Sequence, residues 1–154
     1  MAMRRIVGIV ALVGAVVAGC ASPGGVPMPQ ADVDAVNQAV EAHRAAFNAR
    51  NLDALLLGIA EDARVVSLPA FGTGRGTSDG QVSKVQYRED MAALMARGDR
   101  TLLEHAQWTV EFADATHATA KGQAQLGESR GDFQYKLEKR EGRWVIVEST
   151  VKRK

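Results

Sequence analysis

The sequence predicts an α+β fold in which helices near the N-terminus cover the apolar face of a curved, mainly antiparallel sheet. Three observations predict it. Apolar residues recur at helical spacing from Val33 onward. After Gly98 the period changes to two and stays there almost to the C-terminus. Turn-forming residues interrupt the period-two runs, so the strands meander as antiparallel neighbours with one apolar and one polar face.

The first helix follows from Val33, Val36, Val40, His43 and Phe47, which form one stripe, with Asp34, Gln38, Glu41 and Arg44 opposite. Asp32 is placed to cap it, and it ends near Arg50. Leu52, Leu55, Leu56 and Ile59 predict a second, shorter helix closed by Asp62-Ala63, and Arg64 to Leu68 reads as a short strand. Between Leu68 and Gln81 lie Pro69, Gly72, Gly74, Gly76 and Gly80, a surface loop. No Gly-Lys-Ser/Thr follows it, so it is not a nucleotide-binding loop. Ser83 is placed to cap a third helix, whose Tyr87, Met91, Leu94 and Met95 share a face and which ends at Gly98.

Four strands then follow. Trp108, Val110 and Phe112 alternate with polar neighbours, and a turn follows at Ala113 to Thr116. Ala118, Ala120, Gly122, Ala124 and Leu126 make the apolar face of the next strand, with a loop from Gly127 to Gly131. Phe133, Tyr135 and Leu137 face inward on the next, Glu141-Gly142 turns the chain, and Trp144 to Val151 closes the sheet. The small residues at 118, 120, 122 and 124 leave two outcomes: the helices approach closely there, or a cavity remains.

The N-terminus reads as an address. Arg4 and Arg5 precede thirteen residues, Ile6 to Ala18, without a polar side chain. As a helix that run would span about 20 Å, short against a hydrocarbon core roughly 30 Å thick. A basic start, a short apolar run and a small-residue exit describe a secretory signal. The exit, Val17-Ala18-Gly19-Cys20, resembles a bacterial lipobox. That resemblance implies a signal peptide over 1–19, acylation of Cys20 and a membrane anchor. Ala21, rather than Asp, after the Cys implies sorting to the outer membrane, facing the periplasm, if the cell is Gram-negative. Residues 20–30, with three of the four prolines, make a flexible tether, and 31–154 make the domain. Without residues 1–19 the chain carries 17 basic and 18 acidic residues, so charge gives no case for a nucleic-acid partner. A single Cys excludes a disulfide framework and a Cys-rich zinc site. No motif implies a metal or another cofactor.

The run Ala45-Ala46-Phe47-Asn48-Ala49-Arg50-Asn51-Leu52-Asp53-Ala54-Leu55, with Ala60-Glu61-Asp62-Ala63-Arg64-Val65, resembles the nuclear transport factor 2-like superfamily, which includes SnoaL-like cyclases and ketosteroid isomerases. The segment from Tyr135 to Val147 is similar to that family's last hairpin. The resemblance spans about residues 33–151 and implies a cone-shaped fold with three N-terminal helices on the sheet, a ligand pocket inside the cone, and dimerisation through the open sheet face. It specifies a fold, not an activity. Matched to the isomerases, the oxyanion-hole Tyr falls on His43, the general-base Asp on Ser67 and the second oxyanion donor on Phe133. Enolising chemistry needs a carboxylate base and two donors, and this set lacks the base and one donor.

His43 is the polar exception on an apolar stripe. It reads either as a core histidine bonded to backbone, Tyr135 or Ser67, or as a ligand contact or base. His43, Phe47, Ser67, Trp108 and Tyr135 form the candidate ligand site, with Cys20 as the lipidation site. His105 and His117 read as solvated residues on the polar face with Lys121, too far apart for one metal. Three functions are compatible with these residues. The first is a lipid-anchored envelope protein binding a small apolar or amphipathic ligand, or a protein partner, without catalysis. The second is a SnoaL-like enzyme of the cyclase, isomerase or hydrolase type using His43. The third is a structural envelope protein that forms a homodimer through its sheet face. Cavity volume and the neighbours of His43 discriminate among them.

Overall fold

The computed structural model describes residues 25–67, 80–98 and 100–154. The signal, Cys20, the start of the tether and nearly all of the glycine-containing loop lie outside the described residues. The elements are α1 (Gln30–Asn48), α2 (Leu52–Leu57), β1 (Ile59–Val66), β2 (Gln81–Ser83), α3 (Lys84–Ala96), β3 (Leu103–Asp114), β4 (His117–Leu126), β5 (Ser129–Arg140) and β6 (Arg143–Arg153). The strands form one six-stranded sheet in the order β2-β1-β6-β5-β4-β3. The fold is α+β with a mixed sheet: β1 runs parallel to β6 and the other pairings are antiparallel.

Local chemistry sets the element ends. Arg50 adopts φ 55° and closes α1, its N–H bonding the Phe47 carbonyl while Asn51 N–H reaches Ala46. Asn51 then caps α2 by accepting from the Ala54 N–H, and Ser83 caps α3 by accepting from Gln86. Glu141 and Gly142 both have positive φ, the two-residue turn that suits a right-twisted hairpin. The stripe Val36, Val40, His43 and Phe47 is buried against the sheet, as are Tyr87 and Met91 of α3. At the far end of α1 the Asn48 amide bonds both the N–H and the carbonyl of Leu103, at 2.8 and 2.9 Å.

Several expectations need correction. Only α1 and α3 exceed two turns, and α3 follows β1 and β2, so the three helices do not form one N-terminal group. The second helix stops at Leu57, because Ile59 enters β1 and pairs with Ile146 of β6. The Asp62-Ala63 stop therefore lies inside a strand. Asp32 sits in the first turn of a helix that starts two residues earlier, after Pro29, and pairs with Lys139 at 2.7 Å. Gly131 belongs to β5, opposite Ala124 and Arg153, so the expected loop shrinks to a turn at 127–128.

The largest correction concerns β3. Its pairing with β4 shifts between Ala106 and Thr109, where Gln107 takes φ 51°. This bulge adds a residue and reverses which parity faces inward. Trp108, Val110 and Phe112 point inward as the alternation predicts, but so do Leu103 and His105 on the other side of the bulge. His105 is therefore not on the polar face with Lys121. His117 is: it is exposed and bonds Asp114.

Candidate functional site

Four elements bring polar aromatic side chains together inside the cone. α1 supplies His43, α3 supplies Tyr87, β5 supplies Tyr135, and β3, because of its bulge, supplies His105. The His43 ring stacks 6.5 Å from Tyr87 and meets Tyr135 edge-on at 5.7 Å. His105 Nε2 lies 3.1 Å from the Tyr135 hydroxyl, and the His105 ring stacks on Phe133 at 4.4 Å. With the hydroxyl donating to Nε2, the His105 proton sits on Nδ1.

The surroundings hold both imidazoles neutral. Burial, assisted by His105, pushes His43 down to about 3. Burial, assisted by Arg44, pushes His105 down to about 4. Burial raises the Tyr87 and Tyr135 hydroxyls above the usual phenol range. Desolvation dominates in every case, because a charge in a low-dielectric interior loses its hydration. At neutral pH the cluster is therefore a set of uncharged donors and acceptors.

Not all of them are used. His43 Nδ1, Tyr87 Oη, Ser67 Oγ and His105 Nδ1 are buried without a hydrogen-bond partner among the described residues. Each such group costs about 1–3 kcal/mol if left unpaired. His43, Tyr87 and Tyr135 border a cavity of about 10 Å³ with Ser149 and the apolar side chains of β1 and β6. That volume is about the room one water needs. Among the described residues, none that borders it carries a carboxylate.

The interior at Gly122 is closely packed. A Cβ on Gly122 would lie 2.6 Å from Trp108 Cβ and 2.9 Å from the Phe133 ring. The glycine admits the close approach of the Trp108 Cα and Cβ and of the Phe133 ring, so at this position on β4 the space is packed. Outside the cone, a groove of about 410 Å³ crosses the start of β3 and its neighbours, lined by Glu104, Ala106, Gln123, Arg130 and Lys154 among others. These outward-facing residues alternate with His105, Ala124 and Gly131, which also border the groove.

The structure brings His43 and Tyr135 together at one cavity, which Phe47, Ser67 and Trp108 do not border. Phe47 is wholly buried core with the Arg50 guanidinium 4.6 Å over its ring. Trp108 packs on Gly122 and donates its indole N–H to Asn37 at 2.9 Å. Ser67 is buried just past the end of β1, beyond the residues that border the cavity. Phe133 faces inward and stacks on His105, not on His43. Tyr87 and His105 were not among the sequence candidates. A signal for His105 existed: Leu103 and Trp108 are both apolar but of opposite parity, and that conflict requires a bulge between them.

No protein-family model and no curated protein matches the sequence. Solved structures do match the fold. An NTF2-like protein of unknown function from Pseudomonas putida KT2440 superposes with a TM-score of 0.67 at 18% identity, covering 82% of this chain and 89% of that one. A protein from Novosphingobium aromaticivorans, provisionally described as an aromatic ring hydroxylase, gives 0.68 at 17% identity, covering 82% and 92%. A second from that organism, provisionally described as a scytalone dehydratase, gives 0.63 at 14% identity, covering 81% and 85%. At these identities the likeness speaks to architecture alone, and that architecture is the nuclear transport factor 2-like fold.

Proposed function

We propose that this protein is held at a bacterial envelope membrane by lipid on Cys20, and that its domain binds a small apolar or amphipathic ligand without transforming it. One observation carries the binding reading: His43 Nδ1 and Tyr87 Oη are buried at the cavity wall with no partner among the described residues. Two neutral hydrogen-bonding groups in an apolar wall suit the polar end of an uncharged or amphipathic molecule. The cavity accepts only that polar end, so the ligand's body enters as α1 and α3 move off the sheet. The lack of a carboxylate at the cavity among the described residues, and Ser67 and Phe133 at the positions matching the isomerase base and second donor, support binding over proton transfer.

Native mass spectrometry of the full chain, taken from detergent, tests both halves. The reading expects a chain that begins at acylated Cys20 and retains a small molecule that is lost in His43→Phe. An unmodified Cys20 overturns the anchor. Turnover of the retained molecule that depends on His43 overturns the non-catalytic reading and supports the SnoaL-like alternative. The close packing at Gly122 and the groove across the start of β3 also favour a second reading, a dimer through the sheet face. A ligand-free species of twice the chain mass supports that one.

A further inference from the structure

The tether leaves the domain at one defined end, and the lipid-anchor reading above gives that path a consequence. The Val26 N–H donates to the Phe112 carbonyl at 2.9 Å. Gly25 lies against the same stretch of β3, where a Cβ would sit 3.2 Å from the Phe112 nitrogen. Met28 packs on the core, and Asp32 in the first turn of α1 holds Lys139. Together these contacts fix the chain from 25 to 32 along the end of the domain that carries the turns at 115–116 and 141–142. Register confirms that both turns share this end: Ala118 pairs with Phe112, His117 with Glu138, and Glu138 with Val145.

Only five residue steps separate Cys20 from Gly25, a reach of at most about 18 Å. The opposite end, with the turn at 127–128, the start of β3 and the groove, lies about 30 Å further along the strands. We infer that the domain stands on the bilayer with the 115–116 and 141–142 turns toward the lipid and the 127–128 turn and groove away from it. The anchor, not charge, sets this orientation. Lys139, Arg140 and His117 at the near end are each matched by a carboxylate, from Asp32, Asp62 with Glu138, and Asp114. Among the described residues this leaves Arg143, exposed beside the 141–142 turn, as the one basic side chain of that end without a carboxylate, which is a lone charge and not a patch for anionic headgroups.

The experiment uses the full chain, lipidated in a bacterial host and reconstituted in vesicles of phosphatidylethanolamine and phosphatidylglycerol. Ala115→Cys and Glu128→Cys place single fluorophores on exposed turns at the two ends, since Cys20 is blocked by lipid. Energy transfer to a headgroup acceptor is expected to be severalfold greater from position 115 than from 128. The difference should persist in about 1 M salt, where the Debye length is about 3 Å. Val26→Pro, which deletes the N–H on Phe112, should shrink the difference without shifting the unfolding midpoint. Equal or reversed transfer overturns the orientation, and loss of the difference in salt overturns the claim that the anchor sets it. If the chain is not acylated and does not stay on the vesicles, the anchor reading fails first and takes the orientation with it.

Discussion

The Tyr135 hydroxyl and His105 Nε2 are 3.1 Å apart across two strands that do not touch each other directly, because β4 lies between them. Ala120 and Ala124 make the contact possible, since small side chains on β4 let the flanking rings meet above it. Tyr135→Phe removes the hydroxyl and leaves both nitrogens of a partly buried imidazole without a partner among the described residues. The expected cost is about 1–3 kcal/mol, read as a lower urea midpoint with unchanged slope.

Acid should weaken the domain through His43. Its ordinary value near 6.5 falls to about 3 on folding, so between those values the unfolded chain binds the extra proton. Stability is therefore full above about pH 6.5 and is lost as pH falls toward 3. Between pH 7.5 and 5 this one group contributes a loss of about 2 kcal/mol. His105 acts with the same sign. Comparing urea midpoints of the wild type and His43→Phe at the two pH values isolates the term: the variant should lose less stability on acidification.

Gly122→Ala should overpack the cone. The new methyl would meet Trp108 Cβ and Cα at 2.6 and 2.8 Å, and neither atom can swing aside without moving β3. A loss of about 1–3 kcal/mol is expected in chemical denaturation. Near-ultraviolet circular dichroism should show a changed indole environment.

Asn48→Ala should detach the end of α1 from the sheet. The one amide satisfies both polar groups of Leu103, which is almost fully buried. The expected cost is about 2 kcal/mol, with faster amide exchange at Leu103 than at Phe112.

The sequence was most legible where a single period ran unbroken. The stripe from Val36 to Phe47 and the alternation through β4 and β5 placed their side chains on the correct faces, because β4 and β5 pair without a register break. Legibility failed where geometry changes within an element. Leu57 and Ile59 share an apolar character that fits helix and strand equally, and only the parallel pairing with β6 assigns Ile59 to the sheet. The inward turn of His105 was signalled only by the clash in parity between Leu103 and Trp108, which does not fix the bulge at Gln107. Tyr87 was visible as core, but its role beside His43 depends on how α3 lies across β1, and sequence spacing does not encode that.

The bulge at Gln107 has a consequence for self-association. β3 is one of the sheet's two edge strands, and an edge strand with free peptide groups is a template for another chain. Here the template is spoiled along its length. The Asn48 amide occupies Leu103 at one end, Val26 occupies Phe112 at the other, and the bulge bends the middle. Along β3 a second molecule finds no straight run of donors and acceptors to zip onto. If Cys20 is acylated as proposed, copies held close together on one membrane meet a β3 edge that resists adding strand to strand.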